Sequence, residues 1–387
     1  MFKIQTLNKI SESGLKNFAP EKYEIADNFE NPDGIILRSF AMHDMELPAS
    51  LLAVARAGAG VNNIPIDKCS ERGVVVFNTP GANANAVKEL AIAGLFLASR
   101  KVTAAVDWAK TLKGTEGVAK AVEKGKGAFA GPEIEGKTLL VVGLGAIGVM
   151  VANTAYHLGM EVIGYDPYIS VQSALSLSRH VTVSNDLKVA LSQADYITIH
   201  VPLLDDTRGM FNEEKIGFMK DGARVLNFSR GELVENGAMA KALKEGKVAC
   251  YVTDFPNEEV LEMENAVAIP HLGASTPESE DNCAAWAAKE LIDYLENGNI
   301  VNSVNFPRCV LPREAGVRVT VAHRNVPNML GSVLSVFSEK GANVENMKNK
   351  SRNEYAYTIV DATCENIEDA AEKIKAIDGV LAVRVIK

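Results

Sequence analysis

Three short segments in the second half of the chain hold side chains that could take a proton off an alcohol beside a bound anion. Residues 225–231 read V-L-N-F-S-R-G and set Arg230 just beyond an apolar, strand-like run. Residues 253–259, T-D-F-P-N-E-E, close a second such run and offer Asp254, Glu258 and Glu259. Residues 269–276, I-P-H-L-G-A-S-T, put His271 between an apolar stretch and a glycine turn. Taken singly, the Arg reads as a helix cap or a surface ion pair and the His as a structural hydrogen-bonder. Together they supply a base that works near neutral pH, a carboxylate to fix its tautomer and stabilise the imidazolium, and a guanidinium fork to hold an acid group and polarise a developing carbonyl. All three follow strands, at the carboxyl edge where α/β sheets bind ligands.

Such chemistry needs a hydride acceptor, and the middle of the chain provides a place for one. Residues 137–148, K-T-L-L-V-V-G-L-G-A-I-G, run from a buried-strand pattern directly into G-x-G-x-x-G. A helical pattern follows to Leu158, and a second strand, Glu161–Tyr165, delivers Asp166. This strand–turn–helix–strand–acid order is that of a dinucleotide fold. Gly143 permits the tight turn, Gly145 lets the backbone approach a pyrophosphate, and Gly148 lets helix and strand pack closely. The helix start offers free N–H groups and a partial positive charge to the phosphates. Asp166 would accept hydrogen bonds from the adenine ribose hydroxyls and repel a 2′-phosphate, so NAD is expected rather than NADP.

The elements that must position these groups are readable from the pattern. The 387 residues suggest two or three domains, and 47 % apolar residues are ample for large cores. Residues 1–95 alternate strands and helices, with strands at Gly34–Leu37, 51–55 and 74–77 and a buried helix over 87–99. Residues 111–136, rich in Gly and Lys, read as a short helix and a mobile surface loop. Further strands are expected at 181–183, 196–201, 224–227 and 249–253. The helix Pro277–Asn297 starts at an S-T-P-E signal, and 302–313 is a linker. The remainder runs strand 317–322, helix 328–340, strands 343–348 and 355–361, helix 367–377 and strand 381–386, the βαββαβ ferredoxin-like order. The expected architecture is α/β: two Rossmann-like domains, one for substrate (residues 1–95, returning at 277–306) and one for NAD (96–276), plus a C-terminal ferredoxin-like domain over 317–387.

Bulk charge narrows the partners. A net charge of −9 argues against nucleic-acid and anionic-membrane surfaces. A small-molecule substrate fits, and the site must supply its own cations. Cys69, Cys250, Cys283, Cys309 and Cys364 are scattered, odd in number and without metal-ligand spacing, as in a reduced cytosolic protein. No metal is expected. The chain opens with no charged-then-apolar leader and contains no run long enough to span a membrane, so a cytoplasmic location is expected.

These residues resemble the D-isomer-specific 2-hydroxyacid dehydrogenase family. The likeness rests on G-L-G-A-I-G with Asp166, H-V-P-L at 200–203, the segment from Asn227 to Gly231 and that from Pro270 to Thr276, and covers nearly the whole chain. Within the family, N-T-P-G-A-N-A-N-A-V-K-E at 78–89 is most like the branch that oxidises 3-phospho-D-glycerate and carries a C-terminal ACT domain. The resemblance implies an active site in the cleft between the first two domains, with Arg230 on the substrate carboxylate and keto oxygen and His271 as acid/base. Counting without gaps from Arg230 puts the supporting acid at Glu259; aligning on Phe255–Pro256 would choose Glu258. The ungapped count is preferred, although Val260 stands where the family has Pro. Cofactor contacts carried over are Gly143, Gly145, Ala146, Ile147, Asp166, Val201, Thr207, Phe228, Ser229, Arg230 and Asp254, the last against the nicotinamide. Substrate contacts are Arg38 for the phosphate, the amides of Ala59 and Gly60 for the carboxylate, and Arg230. In the tail, His323, Asn325 and Asn343 fall where relatives bind L-serine across paired ACT domains, with Asn328 in place of the usual Gly. The resemblance implies a homodimer or homotetramer. The rival expectations are a dehydrogenase for another D-2-hydroxy acid and a non-catalytic NAD(H)-sensing protein.

Overall fold

The computed structural model describes every residue except 315, 364 and 365, so Cys364 lies outside the described residues. The chain forms two compact units, Met1–Asn83 with Pro277–Lys387, and Ala84–Thr276.

The first unit opens with a five-stranded parallel sheet: β1 (Phe2–Leu7), β2 (Tyr23–Ala26), β3 (Gly34–Leu37), β4 (Ala53–Arg56) and β5 (Val75–Phe77), in the order β2-β1-β3-β4-β5. Strands β3 and β5 are buried along their whole length, as strands covered on both faces must be. The helix Pro277–Asn297 returns to this sheet. Its small and apolar residues Ala284, Ala287, Ala288, Leu291 and Tyr294 recur at helical spacing and pack with Ile4, Ile36, Ala55 and Phe77.

The tail of the same unit is an antiparallel sheet of β13 (Val317–Arg324), β14 (Asn343–Arg352), β15 (Tyr355–Thr363) and β16 (Val380–Ile386), ordered β14-β15-β13-β16, with helices Met329–Glu339 and Ile367–Lys375. It is fastened to the C-terminal end of the long helix by hydrogen bonds to five successive carbonyls, 294–298, of which Tyr294 also accepts from the Gly298 amide at 2.8 Å. Arg384 takes Tyr294 and Leu295 at 3.1 and 2.8 Å, Arg313 takes Glu296 at 3.1 Å, Arg318 takes Asn297 at 2.9 Å, and the Tyr357 hydroxyl takes Gly298 at 2.8 Å. Three guanidinium groups thus face the negative end of the helix dipole. Arg318 is fully buried and paired bidentately with Asp361 at 2.6 and 2.7 Å.

The second unit is a seven-stranded parallel sheet: β6 (Thr138–Val142), β7 (Glu161–Tyr165), β8 (Thr182–Ser184), β9 (Tyr196–Ile199), β10 (Ala223–Asn227), β11 (Val248–Thr253) and β12 (Ala266–Ala268), ordered β12-β11-β10-β9-β6-β7-β8. The order reverses between β6 and β9, the crevice where doubly wound sheets take dinucleotides. The helix Ala84–Ser99 belongs to this unit from its first residue, so the division falls at residue 84 instead of 95. The reason is its buried face: Val87, Ala91 and Leu95 pack with Leu139, Val141 and Leu226 of the second sheet. Residues 102–129 hold two helices, Val102–Thr111 and Val118–Gly125, and a 3-10 turn, none of which contains a buried residue. The short helix expected within 111–136 is Val118–Gly125, and Val102–Thr111 precedes that stretch.

Candidate active site

The glycine turn after β6 separates two demands of the protein from one made by something outside it. Gly143 has φ +96°, and a Cβ there would lie 2.7 Å from the His200 backbone. A Cβ on Gly148 would lie 1.8 Å from the Gly143 carbonyl oxygen, so the helix could not sit down on the strand. At Gly145 a Cβ would meet nothing within 4 Å. The space it would fill opens at the start of helix Ala146–His157, whose first turn has no side-chain cap. Those free amides and that empty cradle fit a pyrophosphate. Ala146 is exposed and Ile147 half-buried beside it. Asp166 follows β7 directly, its carboxylate oriented by the Leu144 and Tyr168 amides, each at 2.8 Å. One oxygen takes each amide, which leaves a lone pair on both for ribose hydroxyls.

The other expected cofactor contacts follow β9 and β10. Ser229 donates to the Val201 carbonyl at 2.5 Å, Phe228 is buried, and the Thr207 hydroxyl pins its own loop through Pro202 and Leu204. His200, between these segments, is held by Thr198 at 2.9 Å, and burial pushes its imidazole down to about 4, so it stays neutral at neutral pH.

Arg230, Asp254 and His271 leave the carboxyl ends of three neighbouring strands. The ends are aligned, with Asn227 opposite Thr253 and Thr253 opposite Ala268. The buried Asn227 side chain shapes the turn that presents the Arg, donating to the Arg230 carbonyl at 2.8 Å and accepting from the Ser229 amide at 3.2 Å. Asp254 is fully buried. One of its oxygens accepts from the Gly273 amide at 3.2 Å, and among the described residues the other has no side-chain or backbone donor. Burial raises its carboxyl, while the nearby charges of His271 and Arg230 hold it down. An orphaned buried acceptor of this kind fits the carboxamide N–H of a nicotinamide. His271 is exposed, its ring 4.8 Å from that of Phe255. A cavity of about 670 Å³ is lined by Asn236, Asp254, Phe255, Pro270 and His271 among others.

The two glutamates are less well placed by the structure. Asn257 caps the short helix Glu258–Leu261, and both acids in its first turn are exposed. Glu259 accepts from Asn236 at 2.7 Å, and among the described residues neither acid is hydrogen-bonded to His271.

In the first unit, Arg38 follows β3 and is paired with Glu280 at 2.6 Å. Ala59 and Gly60 lie in the turn after β4, half-exposed, and among the described residues neither amide donates to a protein group. Arg56 ends β4 beside them and reaches Asn63 at 3.1 Å. The sequence of that turn points to its amides, and nothing in its pattern marks this guanidinium as part of the site. In the tail, His323 is buried with both ring nitrogens occupied, by the Arg324 carbonyl and by Thr358. Asn325 donates to the Asn353 carbonyl at 3.1 Å. Asn343 stands opposite Thr363, whereas His323 stands opposite Ala356, so within one chain they lie roughly 20 Å apart along the sheet. Asn328 adopts the left-handed conformation, φ +62°, that its place in the loop requires.

The doubly wound sheet with the open glycine cradle at its switch point is the fold of a nicotinamide-linked dehydrogenase. Residues 92–273 match the NAD-binding domain of the D-isomer specific 2-hydroxyacid dehydrogenases. The chain is 32 % identical over 354 residues to D-3-phosphoglycerate dehydrogenase of Haemophilus influenzae, covering 88 % of this chain and 83 % of that one. It is 32 % identical to the Escherichia coli enzyme of the same name over 87 % of this chain and 82 % of that one. Among solved structures, the NAD+-bound 3-phosphoglycerate dehydrogenase of Entamoeba histolytica superposes with a TM-score of 0.62 at 26 % identity, covering 79 % of this chain and 98 % of that one. The holo D-mandelate dehydrogenase of Rhodotorula graminis shares the fold, with a TM-score of 0.68 at 22 % identity over 81 % of this chain and 99 % of that one. The chain belongs to the D-isomer specific 2-hydroxyacid dehydrogenases.

Proposed function

We propose that this chain oxidises 3-phospho-D-glycerate to 3-phosphohydroxypyruvate with NAD, the first step toward L-serine. The observation that carries the reading is the alignment of Arg230, Asp254 and His271 at one sheet edge, in a chain whose curated relatives bear that activity in their names. NAD, bound at the Gly143–Gly148 turn, supplies the hydride acceptor. His271 takes the C2 hydroxyl proton, and Arg230 holds the carboxylate and polarises the developing carbonyl oxygen. Asp254 turns its free oxygen to the nicotinamide carboxamide. Glu259 is the acid that supports His271, once a substrate draws the two together. In the first unit the amides of Ala59 and Gly60 take the substrate carboxylate and Arg38 takes the phosphate, exchanging Glu280 for it.

A homodimer fits the exposed apolar side chains of Phe96, Val102 and Val106 on the second unit. Serine control through His323, Asn325 and Asn343 requires two tails side by side, and His323 must give up an internal partner to serve. Titrating turnover with L-serine tests it, and unchanged rates would remove it. No helix among the described residues is long and apolar enough to cross a membrane; a cytoplasmic site of action fits the reduced cysteines.

The proton-transfer assignment is tested by replacing His271→Asn, Glu258→Gln and Glu259→Gln. The first should lower kcat by about 10²–10⁴ while NADH still binds. Glu259→Gln should lower turnover and narrow the pH profile, and Glu258→Gln should leave both alone. The reverse order of the two glutamates would transfer the role to Glu258, and full turnover by His271→Asn would sink the mechanism.

A further inference from the structure

The turn after β4 owes its shape to residues far from it in sequence. The Ala59 carbonyl accepts from the Asn78 side chain at 2.6 Å, and the Gly58 carbonyl accepts from the Thr79 amide at 3.1 Å. In a trans peptide the C=O and the following N–H point in opposite directions. Holding these two carbonyls against residues 78–79 therefore turns the Ala59 and Gly60 amides the other way, and both are without protein partners among the described residues. Gly58, at φ +156°, allows the chain to present two amides in succession.

Asn78 is itself held. Its amide donates to the Asn302 carbonyl at 3.3 Å, and the Asn302 side chain donates to Glu290 Oε1. Glu290 is a buried acid on the long helix, and among the described residues its second oxygen has no partner. Among the described residues this carboxyl has no ion pair, and its one hydrogen-bond partner is Asn302.

We infer that Asn78, anchored through Asn302 by Glu290, is a positioning residue that aims the Ala59 and Gly60 amides at the substrate carboxylate. The inference rests on the reading of this turn as the carboxylate site. Asn78 touches no substrate in this arrangement; it acts through the peptide planes it fixes. Its loss frees the Ala59–Gly60 peptide to rotate, so substrate binding weakens while hydride transfer, once substrate is bound, proceeds. The effect acts on the carboxylate end and is blind to the phosphate.

The test is steady-state kinetics of Asn78→Ala and of the isosteric Asn78→Asp, which cannot donate to the Ala59 carbonyl. KM for 3-phosphoglycerate should rise about 10-fold or more, as expected for weakening a hydrogen bond to a charged group. kcat should stay within about threefold and NADH affinity should not move. KM for unphosphorylated D-glycerate should rise by the same factor. Glu290→Gln, which keeps an acceptor for Asn302, should follow the parent in KM, and Glu290→Leu should follow Asn78→Ala. A folded, NADH-binding Asn78 variant with unchanged KM, or one that loses kcat instead, overturns the inference. If both Asn78 variants fail to fold, the amide resonances of Ala59 and Gly60 in the parent chain decide: they should shift on adding 3-phosphoglycerate, and immobility would overturn it. Parent enzyme without turnover on any 2-hydroxy acid would instead refute the functional reading.

Discussion

Glu290 gives the most quantitative prediction about how this fold responds to pH. It is 7 % exposed on the buried stripe of helix Pro277–Asn297, and burial pushes its carboxyl from 4.5 to about 7. Between those values the folded chain keeps a proton that the unfolded chain has released. Stability therefore falls as pH rises: the favourable contribution is intact below about 4.5 and lost as pH climbs through about 7. Converted at ~1.36 kcal/mol per pH unit, the gap comes to about 3 kcal/mol. Glu290→Gln removes the charge and keeps the acceptor for Asn302. Relative to the parent it should gain between about 2 and 3 kcal/mol on going from pH 5 to pH 8. The chain has two tryptophans, and Trp286 lies on the same helix one turn earlier. Urea unfolding followed through Trp286 fluorescence, in a Trp108→Phe background, reads the first unit directly. An equal stability difference at both pH values would refute the reasoning, since Glu290 would then not change charge in that window.

Two further outcomes follow from packing. Gly145→Ala should fold and melt like the parent, because its Cβ meets no protein atom within 4 Å, yet bind NADH at least about 10-fold more weakly; Gly148→Ala should lower the melting temperature, since its Cβ meets the Gly143 carbonyl at 1.8 Å. Arg318→Met should cost about 3–5 kcal/mol by stranding the buried Asp361, and adding Asp361→Leu should recover part of the loss, both read by denaturant unfolding of the first unit.

Much of the second unit was legible because its signals are local. The run from Lys137 to Gly148 contains its own strand, turn and helix start, and Gly143 and Gly148 have the structural roles their spacing implies. The tail was equally readable, since alternating and helical periods follow one another cleanly over β13 to β16. The three-residue β12 was not, because Ala266–Ala268 is too short to show a period. The helix Ala84–Ser99 was recognisable as buried, but which sheet buries it is a tertiary fact that composition does not encode. Glu290 lies three residues beyond Ala287, on the buried stripe by spacing, while its residue type reads as solvated. Asn78, Asn302 and the turn at Ala59 meet only through long-range hydrogen bonds. The acid behind His271 stayed open for a physical reason too: Glu258 and Glu259 share one exposed helical turn, and neither is fixed on the histidine by a hydrogen bond.

The central claim is tested most directly by steady-state NADH production with 3-phosphoglycerate as substrate, run beside D-glycerate, D-lactate and 4-phosphoerythronate, with NADP tried in place of NAD. Turnover should be selective for the phosphorylated three-carbon acid and for NAD, the preference for NAD set by Asp166. Turnover confined to an unphosphorylated acid would keep the chemistry of Arg230 and His271 and contradict the substrate. NADH binding without turnover on any of the four would contradict the enzyme itself.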